Sequence, residues 1–278
     1  MNLYSFNFSY WLALAILGGV LINTSTAQAA EGVFEINQTC AITGCFSFDS
    51  PGFPVIVNSA LDSPRLILTS DLDLRGLPSA ENLTAIAIFG DGTVLDLNGF
   101  SIIGPGVVGT GRGVSASGAD GVSVINGKVI GMGDRGVYVG DSARVENMTV
   151  IENGNYGIAA PQDAHVSGCI VWNNGADGMI IASGTVEQSV VANNAGYGIN
   201  ANSGTVVINN SIGFNAAGGI RASPGNQIRA NAVRGNSGFD LDLTFGTNSF
   251  SENVLGSLGG GGIVETGPNL CGGNLTCP

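Results

Sequence analysis

From Val124 to Asn236 the chain alternates apolar and polar positions in short runs, and the pattern returns every 20 or 21 residues. One β-branched column runs Val124, Val145, Val166, Val186, Val207, Ile228. A second runs Val129, Val150, Val171, Val191, Ile212, Val233. A Gly followed by an apolar residue keeps the same step at Gly136-Val137, Gly157-Ile158, Gly178-Met179, Gly198-Ile199 and Gly219-Ile220. An asparagine column, Asn153, Asn174, Asn194, Asn215 and Asn236, keeps step with them. Four columns that share one single-residue slip define an internal repeat. Each block holds β-branched runs bounded by Gly and Asn, which predicts short strands joined by turns where left-handed backbone is tolerated.

No leucine lies between Ser101 and Asp240, which excludes leucine-rich repeats, and no window has helical spacing, which excludes helical repeat arrays. Two or three short strands per block, stacked in register, make a parallel β-helix. A block of 21 is not a multiple of six, so the right-handed form is expected over the hexapeptide-based left-handed one. Inward Val and Ile columns then form an aliphatic core. Stacked asparagines, about 4.8 Å apart along the ladder, are read as scaffold residues that bond to one another and to the backbone.

These repeats resemble the right-handed parallel β-helices of the pectin-lyase-like superfamily, and Val94 to Gly104 (VLDLNGFSIIG) resembles the first regular coil of many secreted bacterial members. The resemblance spans roughly Leu66 to Leu255. It implies an all-β single domain with capped ends and leaves the chemistry open, because this fold hosts lyases, hydrolases, epimerases and adhesins.

The expected division is a signal peptide over 1–29, an N-terminal cap over 30–64, the β-helix over 65–256 and a Gly-rich tail or cap over 257–278. The apolar run Trp11 to Ile22 is too short to span a bilayer, and Ala27-Gln28-Ala29 suits cleavage after Ala29, so the protein is expected to be secreted or extracytoplasmic. Its leader lacks Lys and Arg before the apolar run. Cys40 with Cys45 and Cys271 with Cys277 are expected to close two short loops, one near each end, as an oxidising compartment permits. Cys169 falls among Met148, Ser189, Asn210 and Asn231 and is read as a buried thiol. The stretch Gly104 to Gly121 is read as a lateral loop, a common wall for a groove.

The net charge of −12 and pI of about 4.2 exclude nucleic acid and anionic membrane surfaces as natural partners. They also disfavour polyanionic glycans unless calcium intervenes. His165 is the sole histidine and Lys128 the sole lysine, so a histidine acid–base pair or metal cluster is excluded. No Gly-His-Gly, Arg-x-Lys or Asp-Pro-His segment of the superfamily's enzymes is present. Asp71 with Asp73, and Asp240 with Asp242, alternate on single strands and are read as solvated carboxylates; under a lyase alternative, calcium would need such groups. Glu146 and Glu187 fall in one outward column, about 10 Å apart across two coils, at the edge of the range for an inverting glycosidase pair.

The strongest binding candidates lie just before the repeat glycine, at Arg135, Tyr156, Asp177 and Tyr197, with Arg221 just beyond the last one. Tyrosine rings pack under sugar faces while hydroxyls and carboxylates bond their edges. The expectation is therefore a carbohydrate-binding or structural module without catalysis and without a cofactor, its partner an extracellular polysaccharide or cell-surface glycan. The alternative is a polysaccharide lyase or glycoside hydrolase. Trp172 is read as a packing or surface residue, and the oligomeric state stays open.

Overall fold

The computed structural model describes residues 32–46, 49–58, 64–243, 246–260 and 263–272. The chain is a right-handed parallel β-helix: every strand pairing is parallel, and parallel crossover connections take the right hand. Among the described residues the strands form one sheet of 19 and one of 10. The wide sheet is two faces of a prism, joined where the eight-residue strands Ser123–Ile130 and Arg144–Ile151 run across both. In later coils the same path is split into pairs such as Gly184–Glu187 and Val190–Ala192.

The bend between the two faces has a backbone cause. Asn126, Asn147, Gly168, Gln188, Asn209, Ala230 and Glu252 occupy it, all with φ between 50° and 63°. A second bend, leaving the wide sheet, uses Gly131, Glu152, Asn173, Asn193, Phe214 and Gly235, also left-handed. The left-handed positions thus fall on turn Asn and Gly residues such as Asn126, Asn147, Asn173, Asn193, Gly168 and Gly235, as expected from the sequence, and in the second bend they directly precede the ladder asparagines. The repeat glycines are required by close approach instead. A Cβ on Gly157 would run into the core Val171 side chain and lie 2.9 Å from the Asn174 amide nitrogen.

The core is the predicted set of columns. Val124 through Ile228 and Val129 through Val233 pair in register from coil to coil and are essentially inaccessible to solvent. The narrow sheet adds Val114, Val137, Ile158, Met179, Ile199, Ile220 and Leu241.

The asparagine column is an inward ladder. Asn153 Nδ2 donates to Asn174 Oδ1 at 2.9 Å, and the pattern continues through Asn194 and Asn215 to Asn236. It ends on Asp240, whose Oδ1 accepts from Asn236 N and Nδ2. A second ladder runs Ser189, Asn210, Asn231, Asn253, Asn269, and a shorter third runs Thr205, Asn226, Asn248. Cys169 heads the second ladder: its N–H donates to Ser189 Oγ and its thiol faces the carbonyls of Val145 and Ser167. Burial pushes that thiol's pKa up to about 12, so it is a buried thiol and no nucleophile.

The ladder of strands extends past the expected limits of 65–256. Val33–Ile36 pairs with Arg65–Leu68, and Val55–Val57 with Ile86–Ile88, within the stretch read as cap. At the other end Leu258–Gly259, Ile263–Glu265 and Leu270–Cys271 still pair with the preceding coil. These strands escape the repeat because their connections differ in length, whereas register needs only the strand. The helix Gln38–Thr43, capped by Asn37 and tied by the Cys40–Cys45 disulfide, buries Cys40, Ala41 and Cys45 in the core cluster. The second expected pair includes Cys277, which lies outside the described residues, as does the leader. The stretch Gly104 to Gly121 is not all loop, because Val114–Ala116 returns to the narrow sheet. The remaining excursion rests on the turn Ala80–Asn82, where Gly111 N donates to Glu81 O.

Candidate functional site

The outer face of the narrow sheet is set by strand alternation. In Val137–Val139 the valines point into the core, so Tyr138 points out. Register then aligns Ser115, Tyr138, Ala159, Ile180, Asn200, Arg221 and Asp242 on one outward line. Beside it runs the turn line Arg135, Tyr156, Asp177, Tyr197, because each following glycine donates its N–H to the next member's carbonyl.

At one end of this face the guanidinium of Arg135 stacks on two rings. Its Cζ lies 4.3 Å from the Tyr138 centroid and 5.5 Å from that of Tyr156. Arg112 approaches the same Tyr138 ring at 5.3 Å, but its Nε is engaged by Asp134 Oδ2 at 2.8 Å. Asp134 is held in turn by Asn155 Nδ2 at 2.9 Å. The Nε of Arg135 is closed to solvent and has no hydrogen-bond partner, alone in this among side-chain nitrogens and oxygens of the described residues. An unmet buried donor costs on the order of 1–3 kcal/mol, and more when charged, so a built site usually accounts for it. The same three side chains line a pocket of about 310 Å³ with Ala159, Ala160, Pro161, Ile180, Ala182 and Asn202. Small residues at Ala159 and Ala182 leave the room.

At the other end Asp177 organises the turn, accepting from Tyr197 N at 2.7 Å and from Asn200 Nδ2 at 3.0 Å. The Tyr197 hydroxyl donates to Asp242 Oδ2 at 3.2 Å, and Arg221 lies 5.6 Å from the Tyr197 ring. Burial, then the negative charge of Asp242, holds the Tyr197 pKa above its ordinary value, against the opposing pull of Arg221.

The five expected binding residues therefore share one face but divide into two groups, Arg135 with Tyr156 and Asp177 with Tyr197 and Arg221. Tyr138, which completes the first group, was not among them. Alternation makes it outward, but nothing in the repeat marks it, since its column holds Ala159 and Ile180. Asp240 and Asp242 are corrections: both are buried, Asp240 as the last ladder acceptor and Asp242 as the partner of Tyr197. Asp73 is the exposed carboxylate expected, its pKa lowered by the hydrogen bond from Arg75.

Glu146 and Glu187 lie on the wide sheet, each in register with Ser167 between them. Arg144 sits 3.3 Å from Glu146 and His165 3.4 Å from Glu187, so each carboxylate has its own basic neighbour rather than facing the other. Trp172 is a surface residue, beside the exposed Ile170 and Val190. No helix of the described residues is long and apolar enough to cross a membrane.

A family profile described as periplasmic copper-binding protein (NosD) matches residues 90–258, more than half of the chain. Among solved structures, the A-module of the mannuronan C-5 epimerase AlgE4 from Azotobacter vinelandii is 13% identical, with a TM-score of 0.44 over 74% of this chain and 83% of that one. The A-module of the epimerase AlgE6 from the same organism is 12% identical, with a TM-score of 0.37 over 89% of each chain. No curated protein sequence matches the chain.

Proposed function

The chain belongs to the NosD family of periplasmic copper-binding proteins, and from that premise we propose that it is a periplasmic β-helix protein that binds a glycan without transforming it. Export through a leader cleaved after Ala29 is part of this reading. The glycan would lie along the outer face of the narrow sheet. The observation that carries the proposal is the stack of Arg135 on Tyr138 and Tyr156 beside an open pocket. Half-buried tyrosine rings give flat apolar contact to a sugar face at little entropic cost, and the arginine and Asn202 supply polar contacts.

The copper of the family's description does not fit the donors present. Among the described residues no three of His, Cys, Asp and Glu gather where they could hold a metal ion. His165 stands alone, Cys169 is buried and protonated, and Met132, Met148 and Met179 are all core residues. A copper site needs several soft or imidazole donors converging on one point, and the described residues supply none.

Isothermal titration of the purified protein with a panel of neutral and acidic oligosaccharides tests the reading. Binding is expected to weaken at least tenfold in Tyr138→Ala and Tyr156→Ala and to be unchanged in Trp172→Ala, on the other sheet. Binding that ignores both tyrosine substitutions would refute it, as would release of shortened or unsaturated products.

A further inference from the structure

Resting on that reading of the face, we propose that the ligand carries an isolated carboxylate and that Arg135 is its subsite. Arg75, Arg112, Arg144, Arg229 and His165 each lie within ion-pair distance of an Asp or Glu, while Arg65, Lys128 and Arg234 are exposed to solvent. Arg135 is half-buried and has no acidic side chain within ion-pair distance among the described residues, although the protein carries 21 acidic residues against nine Lys and Arg. Arg112, which shares the Tyr138 ring with it, is already committed to Asp134. Tyr138 and Tyr156 meet Arg135 through their rings, with the guanidinium carbon lying over both.

A guanidinium donates its hydrogen bonds in its own plane, so stacking and hydrogen bonding do not compete. The rings hold the plane in orientation, and the edge, including the unpaired Nε, remains for an acceptor. A planar carboxylate matches that edge with two parallel N–H···O bonds, which a hydroxyl does not. Because Nε is closed to solvent, a ring or the pocket wall shifts slightly when the acceptor enters. The net charge of −12 opposes a polyanion, so the carboxylate belongs to an otherwise uncharged chain: one acidic sugar among neutral ones.

The test uses three probes on the purified protein: glucuronate-bearing oligosaccharides, the same oligosaccharides with the carboxyl reduced to the alcohol, and acetate. Titration calorimetry gives affinities, and the Arg135 Nε–H resonance, assigned by its loss in Arg135→Gln, reports the hydrogen bond directly. The acidic oligosaccharide is expected to bind at least tenfold more tightly than its reduced twin and to move that resonance downfield. Arg135→Gln should equalise the two ligands, and Arg135→Lys should restore only part of the preference, because a point charge lacks the fork. Circular dichroism confirms that both variants fold. Equal affinity of the twin ligands, or a preference that survives Arg135→Gln, overturns the carboxylate subsite and leaves glycan binding standing. If neither oligosaccharide binds while acetate moves the Nε–H signal, the glycan reading fails and the anion subsite stands. If neither oligosaccharide binds and nothing moves the signal, both fail.

Discussion

Replacing Asn194 with alanine removes one rung from the middle of the first ladder. Its Oδ1 accepts from Asn174 N at 3.0 Å and Asn174 Nδ2 at 2.9 Å. Its Nδ2 donates to Val171 O, Ala192 O and Asn215 Oδ1 at 3.0–3.3 Å. The Asn174 side chain keeps Val150 O and Trp172 O, but the Asn174 backbone N–H loses its acceptor in a buried position. One orphaned buried donor at about 1–3 kcal/mol and several lost bonds at about 1 kcal/mol each predict a loss of about 3–5 kcal/mol. Urea denaturation followed by circular dichroism measures the total. Hydrogen exchange at the Asn174 amide measures the local part, which should quicken by about one to two orders of magnitude at 1.4 kcal/mol per tenfold. Asn193 is the control: it is exposed with φ 55°, so Asn193→Gly should change stability by less than about 1 kcal/mol. A loss below about 1 kcal/mol in Asn194→Ala, with Asn174 exchange unchanged, would show that the ladder bonds carry no net stability.

Three further outcomes are expected. Cys169 should resist iodoacetamide at pH 8 in the native protein and react fully in denaturant, as mass spectrometry would record; Cys169→Ser should cost less than about 1.5 kcal/mol, because Ser189 fills the next position of that column. Tyr197 has a raised pKa, so its neutral form is favoured by folding: its contribution is whole below pH 10 and is lost as pH rises through the folded value. Difference titration of phenolate absorbance against Tyr197→Phe should show this, and Asp242→Asn should bring the value back down. Phe214 stands 71% exposed at φ 58°, so Phe214→Asn or Phe214→Gly should raise thermal stability by about 1 kcal/mol; a fall would show that its ring packs productively across Gly235.

The core columns and the first ladder were legible because each holds one kind of side chain at a fixed step, Val or Ile inside and Asn at the turn. The second ladder was not, because Cys169 and Ser189 stand where later coils place Asn210, Asn231 and Asn253; any group that meets the same backbone donor serves, so composition wavers while geometry does not. The outer strands at Val33–Ile36 and Leu270–Cys271 were missed for a related reason: strand register survives changes in loop length that destroy a sequence period. In the candidate site, Arg135 and Tyr156 could be read from their column. Tyr138 could not, since its meeting with Arg135 depends on how a long side chain folds over its own strand. The burial of Asp242 likewise depends on Tyr197, 45 residues earlier.

The first ladder has a direction. Each amide points its NH₂ toward the C-terminal coils and its oxygen back toward the N-terminus, so the side-chain dipoles add as peptide dipoles add along a helix. The positive end of that array meets Asp240, the one carboxylate in the series. Every internal rung must both give and accept, so asparagine repeats, whereas the last needs only to accept, and there a negative charge suits the accumulated field. Whole coils could then be inserted or removed ahead of Asp240 without redesigning either end of this ladder, which makes its length a modular property set by where that single terminating acid stands, while the strands themselves run on to Cys271.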